Sequence, residues 1–420
     1  MMFNTEPVTA QQFDLEDELS GFRSRFLIPS HFHKPVIYLC GNSLGLQPRK
    51  ASLYIQEELE DWANLGVEGH FKARRPWFNY HELLSGTLAN LCGAQPAEVV
   101  AMNQLTVNLH LLMVSFYRPE GKKCKIICEA KAFPSDQYAM QSQVAFHGYS
   151  PEKCIIEVKP REGEHQIAHE DILVAIDQHR DELALVLFSG VNYYTGQVFN
   201  IKAITEVGHQ AGAIVGFDLA HAIGNVKLEL HDWGVDFATW CSYKYLNSGP
   251  GGVSGIFVHE RHLKNTKIPR FHGWWGHDPK VRFRMEKEFV PMKTAEAWQL
   301  SNAPVLSMAA HKASLEIFEE AGMDRLIQKR DKLTNYMEFL LNDLSKQTKF
   351  KGMFDIITPK ERGCQLSILF HKNGRKMFEH LTNSGVIADW REPDVIRVAP
   401  VPLYNSFMDV YQFYSILKNF

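Results

Sequence analysis

The chain has no apolar run that approaches the length of a bilayer span, and its first residues, MMFNTEPVTAQQFD, lack the basic-then-apolar layout of a secretory signal. It has no block of lysine or arginine, and its formal net charge is −3, so neither nucleic acid nor an anionic membrane is expected as a partner. Metal-type spacings are also missing. No HExxH occurs, and Cys124 and Cys128 have no second close pair to complete a zinc site, so no metal is expected. Seven cysteines in 420 residues, an odd number, suit a reducing cytoplasm rather than a disulfide framework. Internal repeats and low-complexity linkers are absent as well. What is present is a chain 45% hydrophobic and 22% charged, enough to bury a large core in two or more substructures.

The spacing of Phe13, Leu15, Leu19, Phe22 and Phe26 predicts an amphipathic helix over residues 1–35, ending at Pro29. An apolar strand then runs through VIYLCGNSLGLQP (36–48) into a Gly/Asn turn, and a helix follows Pro48. That turn is either a plain connection or a set of amides facing a ligand. His70, Arg74, Arg75 and Trp77 form either a surface patch or the rim of an anionic site.

From residue 99 strands and helices alternate, with near-continuous apolar strands. That pattern predicts an α/β domain built on a mostly parallel sheet covered on both faces, spanning residues 36–302. Residues 303–420 predict a smaller C-terminal α+β domain. Ligand sites in such sheets lie off the carboxyl ends of strands, and Thr106, Asp136, Ser189, Asp218 and Lys244 all fall at or just past those ends.

Lys244 ends a β-prone run, DFATWCSYK, before a glycine-rich turn. A lysine there either reaches for solvent or, desolvated, forms a Schiff base. Asp218, at the end of the preceding strand in GFDLAHAIGN, decides between these readings. Pyridoxal phosphate (PLP) requires a lysine for its aldehyde and a carboxylate to hold its pyridine nitrogen protonated. Thr106 either caps its helix or offers its hydroxyl and free amides to a phosphate. Phe133 is either core or a ring stacked on the cofactor. Arg397 either pairs with a structural carboxylate or clamps the α-carboxylate of an amino acid.

The segments YLCGNSLGLQP, GHFKARRPW, MNQLTVNLHLLMVSF, AFPSDQYA, LFSGVNYYTGQ, GFDLAHAIGN, WCSYKYLNSGPGG, GWWGH, SNAP and IRVAPVPLYNSF together resemble the kynureninase family of fold-type I PLP enzymes, over nearly the whole chain. The resemblance implies hydrolysis of kynurenine or 3-hydroxykynurenine to an anthranilate and L-alanine, in tryptophan degradation or NAD biosynthesis. It implies that Lys244 holds PLP covalently, that Asp218 binds the pyridine nitrogen, and that Phe133 stacks on the ring. Leu105, Thr106, Ser135 and Tyr243 would hold the phosphate or nearby atoms, and Asp136, Ser189 and His221 would complete the shell. Lys244, Tyr243 and Asp218 would be catalytic, with Tyr243 the candidate donor of the Cβ proton. Arg397 would take the substrate carboxylate. His70 and Asn302 would meet the substrate ring, favouring the 3-hydroxylated form. Trp274 and Asn302 would come from the partner subunit of a homodimer whose active site lies at the interface.

Two other readings are weaker on the residues. A cysteine desulfurase needs a persulfide-forming cysteine on a flexible loop, whereas Cys364 opens an apolar run, CQLSILF. A PLP-binding regulator needs a basic DNA-binding module ahead of the cofactor domain, where this chain carries Glu6, Asp14, Glu16, Asp17 and Glu18.

Overall fold

The computed structural model describes residues 3–420. Its N-terminal part departs from expectation. Instead of one helix over residues 1–35, α1 covers only Pro7–Leu15 and is followed by a 3-10 segment, Ser20–Arg25, and short extended pairs. The reason is that the apolar residues serve different partners. Phe13 packs into one core, whereas Leu19, Phe22 and Phe26 pack into another, and Leu15 is exposed. The strand expected through residues 36–48 is likewise short. It is broken into two-residue pieces: Ile37–Tyr38 pairs in parallel with Val386–Ile387 near the far end of the chain, and Gln47–Pro48 pairs antiparallel with Phe26–Leu27. Helix α2 (Arg49–Leu65) begins directly after Pro48 as expected, and α3 (Glu82–Cys92) ends on Gly93 in the left-handed conformation that glycine tolerates.

The alternating region forms as its pattern predicts. In order come β1 (Val99–Ala101), α4 (Leu105–Phe116), β2 (Lys125–Glu129), α5 (Pro134–Phe146), β3 (Ile155–Val158), α6 (His169–Gln178), β4 (Leu183–Ser189), α7 (Ile201–Gln210), β5 (Ile214–Asp218), β6 (Phe237–Trp240) and β7 (Gly255–Val258). They make one seven-stranded sheet in the order β1-β7-β6-β5-β4-β2-β3. β3, β2, β4, β5 and β6 pair in parallel, and β7 pairs antiparallel with both β6 and β1. The strand side chains are mostly buried, as parallel strands covered by helices on both faces must be. Ser189 stands in register with Asp218, and Asp218 with Thr239. The carboxyl ends of β4, β5 and β6 therefore lie at one level.

After a long irregular stretch come α8 (Val305–Ala321), α9 (Met323–Lys346), β8 (Phe354–Ile356), β9 (Leu366–Phe370), α10 (Gly374–Asn383), β10 (Asp389–Arg391), β11 (Val395–Val398) and α11 (Phe407–Lys418). The strands form an antiparallel sheet in the order β8-β9-β11-β10. Its core takes residues of α9, α10 and α11 together with Ala10 and Phe13 of α1. The first core takes residues of α8, from Met308 to Ala321. We propose 36–302 as the large and 303–420 as the small domain, with α8, which packs into the first core, tying one to the other and residues 3–35 laid across both cores.

Candidate active site

Lys244 lies four residues beyond β6, in the turn that leads to β7. Two close contacts hold that turn. The Gly45 amide donates to the Tyr243 carbonyl at 2.8 Å, and a Cβ on Gly45 would sit 2.3 Å from the Lys244 carbonyl oxygen. Glycine is required at Gly45 because backbone meets backbone there. The turn at residues 41–45 thus braces the lysine loop. Asn42 reaches away from it, donating to Gln365 at 2.9 Å.

The Lys244 ammonium stands 2.9 Å from His221 Nε2 and 5.7 Å from the centre of the Phe133 ring. Burial first, then the cations Lys244, Arg397 and Arg391, hold the His221 pKa well below its usual value. The imidazole is therefore neutral at working pH, and Nε2 accepts from Lys244. His221 Nδ1 is buried without a partner. Phe133 forms the opposite wall, edge-on to Tyr193 at 5.2 Å.

Three carboxyl groups line the same cavity of about 190 Å³: Asp218, Asp136 and Glu129. Asp218 ends β5 and accepts from the Ala220 amide at 2.7 Å. Burial raises its pKa, while a hydrogen bond from Asp136 and the charge of Lys244 pull it back. Asp136, in the first turn of α5, is raised much further by burial and by Asp218. The pair therefore shares a proton: Asp136 carries it and Asp218 stays ionised, because two buried carboxylates in contact do not both ionise. Tyr243, also on the wall, has its phenol pushed up by burial and then by Cys241.

Leu105 and Thr106 line the cavity as the first residues of α4. Gln104 is the residue before the helix, and no side chain caps it. The capping role considered for Thr106 is thus not realised, and the first-turn amides are left for an anion at the positive end of the helix. Ser135 and Ser189 complete the wall. Lysine, neutral histidine, an aromatic face, an ionised aspartate and an uncapped helix start are the donor set PLP needs, and the unpartnered His221 Nδ1 points to a missing neighbour.

Four of the expected residues lie elsewhere. His70, Trp274 and Asn302 line a second cavity of about 440 Å³, with Phe71, Phe78 and Phe283. It has no lining residue in common with the first. Arg397 is fully buried just behind the cofactor cavity. One guanidinium nitrogen, Nη1, donates to the Tyr193 carbonyl at 2.5 Å, the other to Asp389 and to Ser43 Oγ, and Nε is unpartnered. The structural carboxylate weighed for Arg397 therefore exists, and it is Asp389. Arg74 and Arg75 are tied to Glu60, Asp61, Glu57 and Glu58 and offer no anionic rim.

Glu129, Tyr193 and Cys241 also line the cavity and were not singled out from the sequence. Glu129 was within reach of the rule that found Asp218, since it is an acid at the carboxyl end of an apolar strand. Tyr193 and Cys241 carry no such signal. Cys364 is buried, and burial pushes its thiol up to about 12, which removes it as a persulfide carrier. Outside the cavity, Glu98, His231 and His259 bring ligand-type atoms within 4.8 Å of one another. Their atoms are already engaged, however: Glu98 accepts from His231 and from the Glu260 amide, and His259 caps Arg261.

Residues 37–364 match the family described as aminotransferase class-V, and residues 326–417 match the kynureninase C-terminal domain. The kynureninase of Flavobacterium psychrophilum is 59% identical over 100% of this chain and 99% of its own. That of Myxococcus xanthus is 54% identical over 99% and 98%, and that of Nematostella vectensis 49% over 97% and 92%. Among solved structures, the cysteine desulfurase CsdA of Escherichia coli superimposes with a TM-score of 0.76 at 14% identity, covering 96% of this chain and 98% of its own. A form of C-DES with glycine linked to its PLP cofactor gives 0.76 at 16% identity, over 92% and 97%. At that identity these two structures share the fold alone.

Proposed function

The chain belongs to the kynureninase family, PLP-dependent hydrolases of carbon–carbon bonds in ketonic substrates, and we propose that its own residues divide the cleavage of the kynurenine side chain as follows. The observation that carries this reading is Lys244 Nζ at 2.9 Å from a neutral His221, across the cavity from Phe133 and beside Asp218.

PLP, when bound, supplies the sink for the electron pair left on the substrate's Cα. Lys244 would hold the cofactor, and its amine would take the substrate's Cα proton. Asp218, kept ionised by the proton on Asp136, favours the protonated pyridine nitrogen. Phe133 covers the ring face. The first turn of α4, with Thr106 and Ser135, seats the phosphate. Water adds to the γ-carbonyl, the Cβ–Cγ bond breaks, and the acyl fragment leaves as the anthranilate. Tyr243, whose phenol stays protonated, gives Cβ its proton. Arg397 takes the α-carboxylate after Asp389 yields its place.

The functional unit is a homodimer with its active site at the interface. His70, Trp274 and Asn302 stand in a different cavity from Lys244, so they meet a substrate only if a second copy presents them. The surface around them favours this: Phe71 is 64% exposed, Phe283 55% and Trp274 45%, and clustered exposed aromatics are a mark of interaction surfaces. His70 Nδ1 is bound to the Val67 carbonyl at 3.0 Å, which turns the ring's other nitrogen toward a substrate. With Asn302 it would hydrogen-bond a ring hydroxyl, favouring 3-hydroxykynurenine. No helix among the described residues is long and apolar enough to cross a membrane. The free cysteines support a cytoplasmic site of action.

Borohydride reduction followed by peptide mass mapping tests the assignment. The PLP adduct is expected on Lys244, and Lys244→Ala should lose turnover by orders of magnitude. An adduct on any other lysine would refute the reading.

A further inference from the structure

Glu129 is an acid for which the chemistry above has no use. It ends β2, is 3% exposed, and lines the cofactor cavity. Its carboxylate accepts three hydrogen bonds, all from Ser189: the amide reaches both oxygens at 3.2 Å, and the hydroxyl reaches Oε1 at 2.5 Å. Ser189 in turn stands in register with Asp218, and the next amide, of Gly190, donates to the Asp218 carbonyl at 2.7 Å. Glu129 thus grips the strand end beside Asp218.

The charged and titratable groups around it are mostly acidic. Asp218 and Asp136 face it within the cavity, and Cys128 precedes it on β2. Lys244 and His221 stand across the cavity, and Glu157, Lys131 and Lys159 line a separate surface cavity beyond β2. No lysine, arginine or histidine pairs with Glu129 among the described residues. Keeping an acid buried without a cation is expensive. Yet two donors, the Ser189 amide and hydroxyl, and no acceptor are the surroundings of a carboxylate rather than of an amide. Burial first, offset by Ser189, holds its pKa up to about 7, so both forms are populated at neutral pH.

We propose that Glu129 is a positioning residue whose negative charge fixes how tightly protons are held on Asp136 and on the cofactor nitrogen that faces Asp218. The inference rests on PLP occupying the Lys244 cavity. An ionised Glu129 raises the proton affinity of Asp136. Asp136 then keeps its proton and donates to Asp218, which stays the ionised partner. Removing the charge lowers the proton affinity of every group on that wall. Ser189 sets the strength of the effect, because its hydroxyl stabilises the ionised form of Glu129.

The test uses holoenzyme loaded with ¹⁵N-pyridine-labelled PLP, with the nitrogen's chemical shift followed against pH in the absence of substrate. E129Q keeps an acceptor for Ser189 but not the charge. Its nitrogen should lose its proton at a pH lower by about one unit, a tenfold drop in proton affinity, and E129D should restore the wild-type midpoint. A midpoint in E129Q equal to that of wild type overturns the proposal. Should E129Q fold poorly, Ser189→Ala decides. It leaves Glu129 protonated at higher pH and must also move the nitrogen's midpoint down; an unmoved midpoint overturns the proposal there too. A wild-type protein showing no bound pyridine signal would instead remove the cofactor reading on which the inference stands.

Discussion

Asp389 occupies the guanidinium of Arg397: its Oδ2 receives Arg397 Nη2 and Ser43 Oγ together. Burial works to raise the Asp389 carboxyl, and Arg397 and Ser43 more than offset it. On the role proposed for Arg397, the substrate's carboxylate must displace one already in place. Asp389→Asn, which removes the competing charge, is expected to lower KM for kynurenine by about tenfold, or ~1.4 kcal/mol. Arg397→Lys keeps the charge without the planar fork and should raise KM while the cofactor's absorption is unchanged. Steady-state kinetics on both variants check this, and an unmoved KM in both would leave the pair purely structural.

The two-cavity arrangement predicts complementation between inactive subunits. Lys244→Ala lacks the lysine, and Trp274→Ala lacks the aromatic wall proposed to serve the other copy. Mixed after mild dissociation, a hybrid pair regains one competent site out of two. Activity rising above both parents, together with a dimer mass by light scattering, is the expected result. If the mixture stays as inactive as its components, each chain must complete its own site.

Ring recognition gives a third outcome to measure. Asn302 is exposed and His70 half-buried in the single chain; once a partner subunit covers them, a polar group left unpaired would cost about 1–3 kcal/mol, so kcat/KM should favour 3-hydroxykynurenine by roughly ten- to a hundredfold. Asn302→Thr should narrow that ratio. Equal or reversed kcat/KM for the two substrates in the unmodified enzyme counts against His70 and Asn302 as hydroxyl ligands.

Asp236, at the start of β6, provides a pH-linked stability term far from the chemistry. It accepts from His209 and His262 at 2.8 Å each, from Arg261 at 2.7 Å and from the Val215 amide at 2.8 Å. Burial alone would raise its pKa, but His209, His262 and Arg261 win and depress it. The folded-state pKa lies below the unfolded one, so its contribution is complete above the unfolded aspartate value, about 3.9. It drains away as pH falls through the folded value. Asp236→Asn weakens the acceptor of the buried Val215 amide and removes the charge facing the partly exposed His209, Arg261 and His262, and should cost about 1–3 kcal/mol at pH 7. The difference from wild type, read as Tm against pH, should shrink steadily below about pH 4.

How much of this was legible depended on whether a residue's partner lay close in sequence or followed a rule of the sheet. Thr106, Asp136, Ser189, Asp218 and Lys244 were placed together because parallel strands level their carboxyl ends, and all five line one cavity. Glu129 obeys the same rule and was passed over, since KIICE reads first as core. The N-terminal segment misled for a physical reason. Leu15, Leu19, Phe22 and Phe26 keep helical spacing, but Leu15 is exposed, and Phe13 packs into a different core from Leu19, Phe22 and Phe26; periodicity does not report how many cores a segment serves. The placement of Arg397 was also only half readable. That it ends a strand is local; that Asp389 holds it depends on the pairing of β10 with β11.

The brace between Gly45 and the lysine loop also bears on when the enzyme can become active as it is made. Residues 37–40 carry that brace, and their own partners are Gly385, Ile387 and Ala399. These contacts join the first tenth of the chain to its last tenth. Domains usually fold from the N-terminus as they leave the ribosome, and distant contacts close slowly. Here Gln47–Pro48 can pair with Phe26–Leu27 early, but residues 37–40 have no strand partner until nearly the entire polypeptide has emerged. A nascent chain stalled or truncated before residue 385 would hold a finished central sheet and a lysine turn braced from one side only. Competence for chemistry is thereby tied to completion of synthesis.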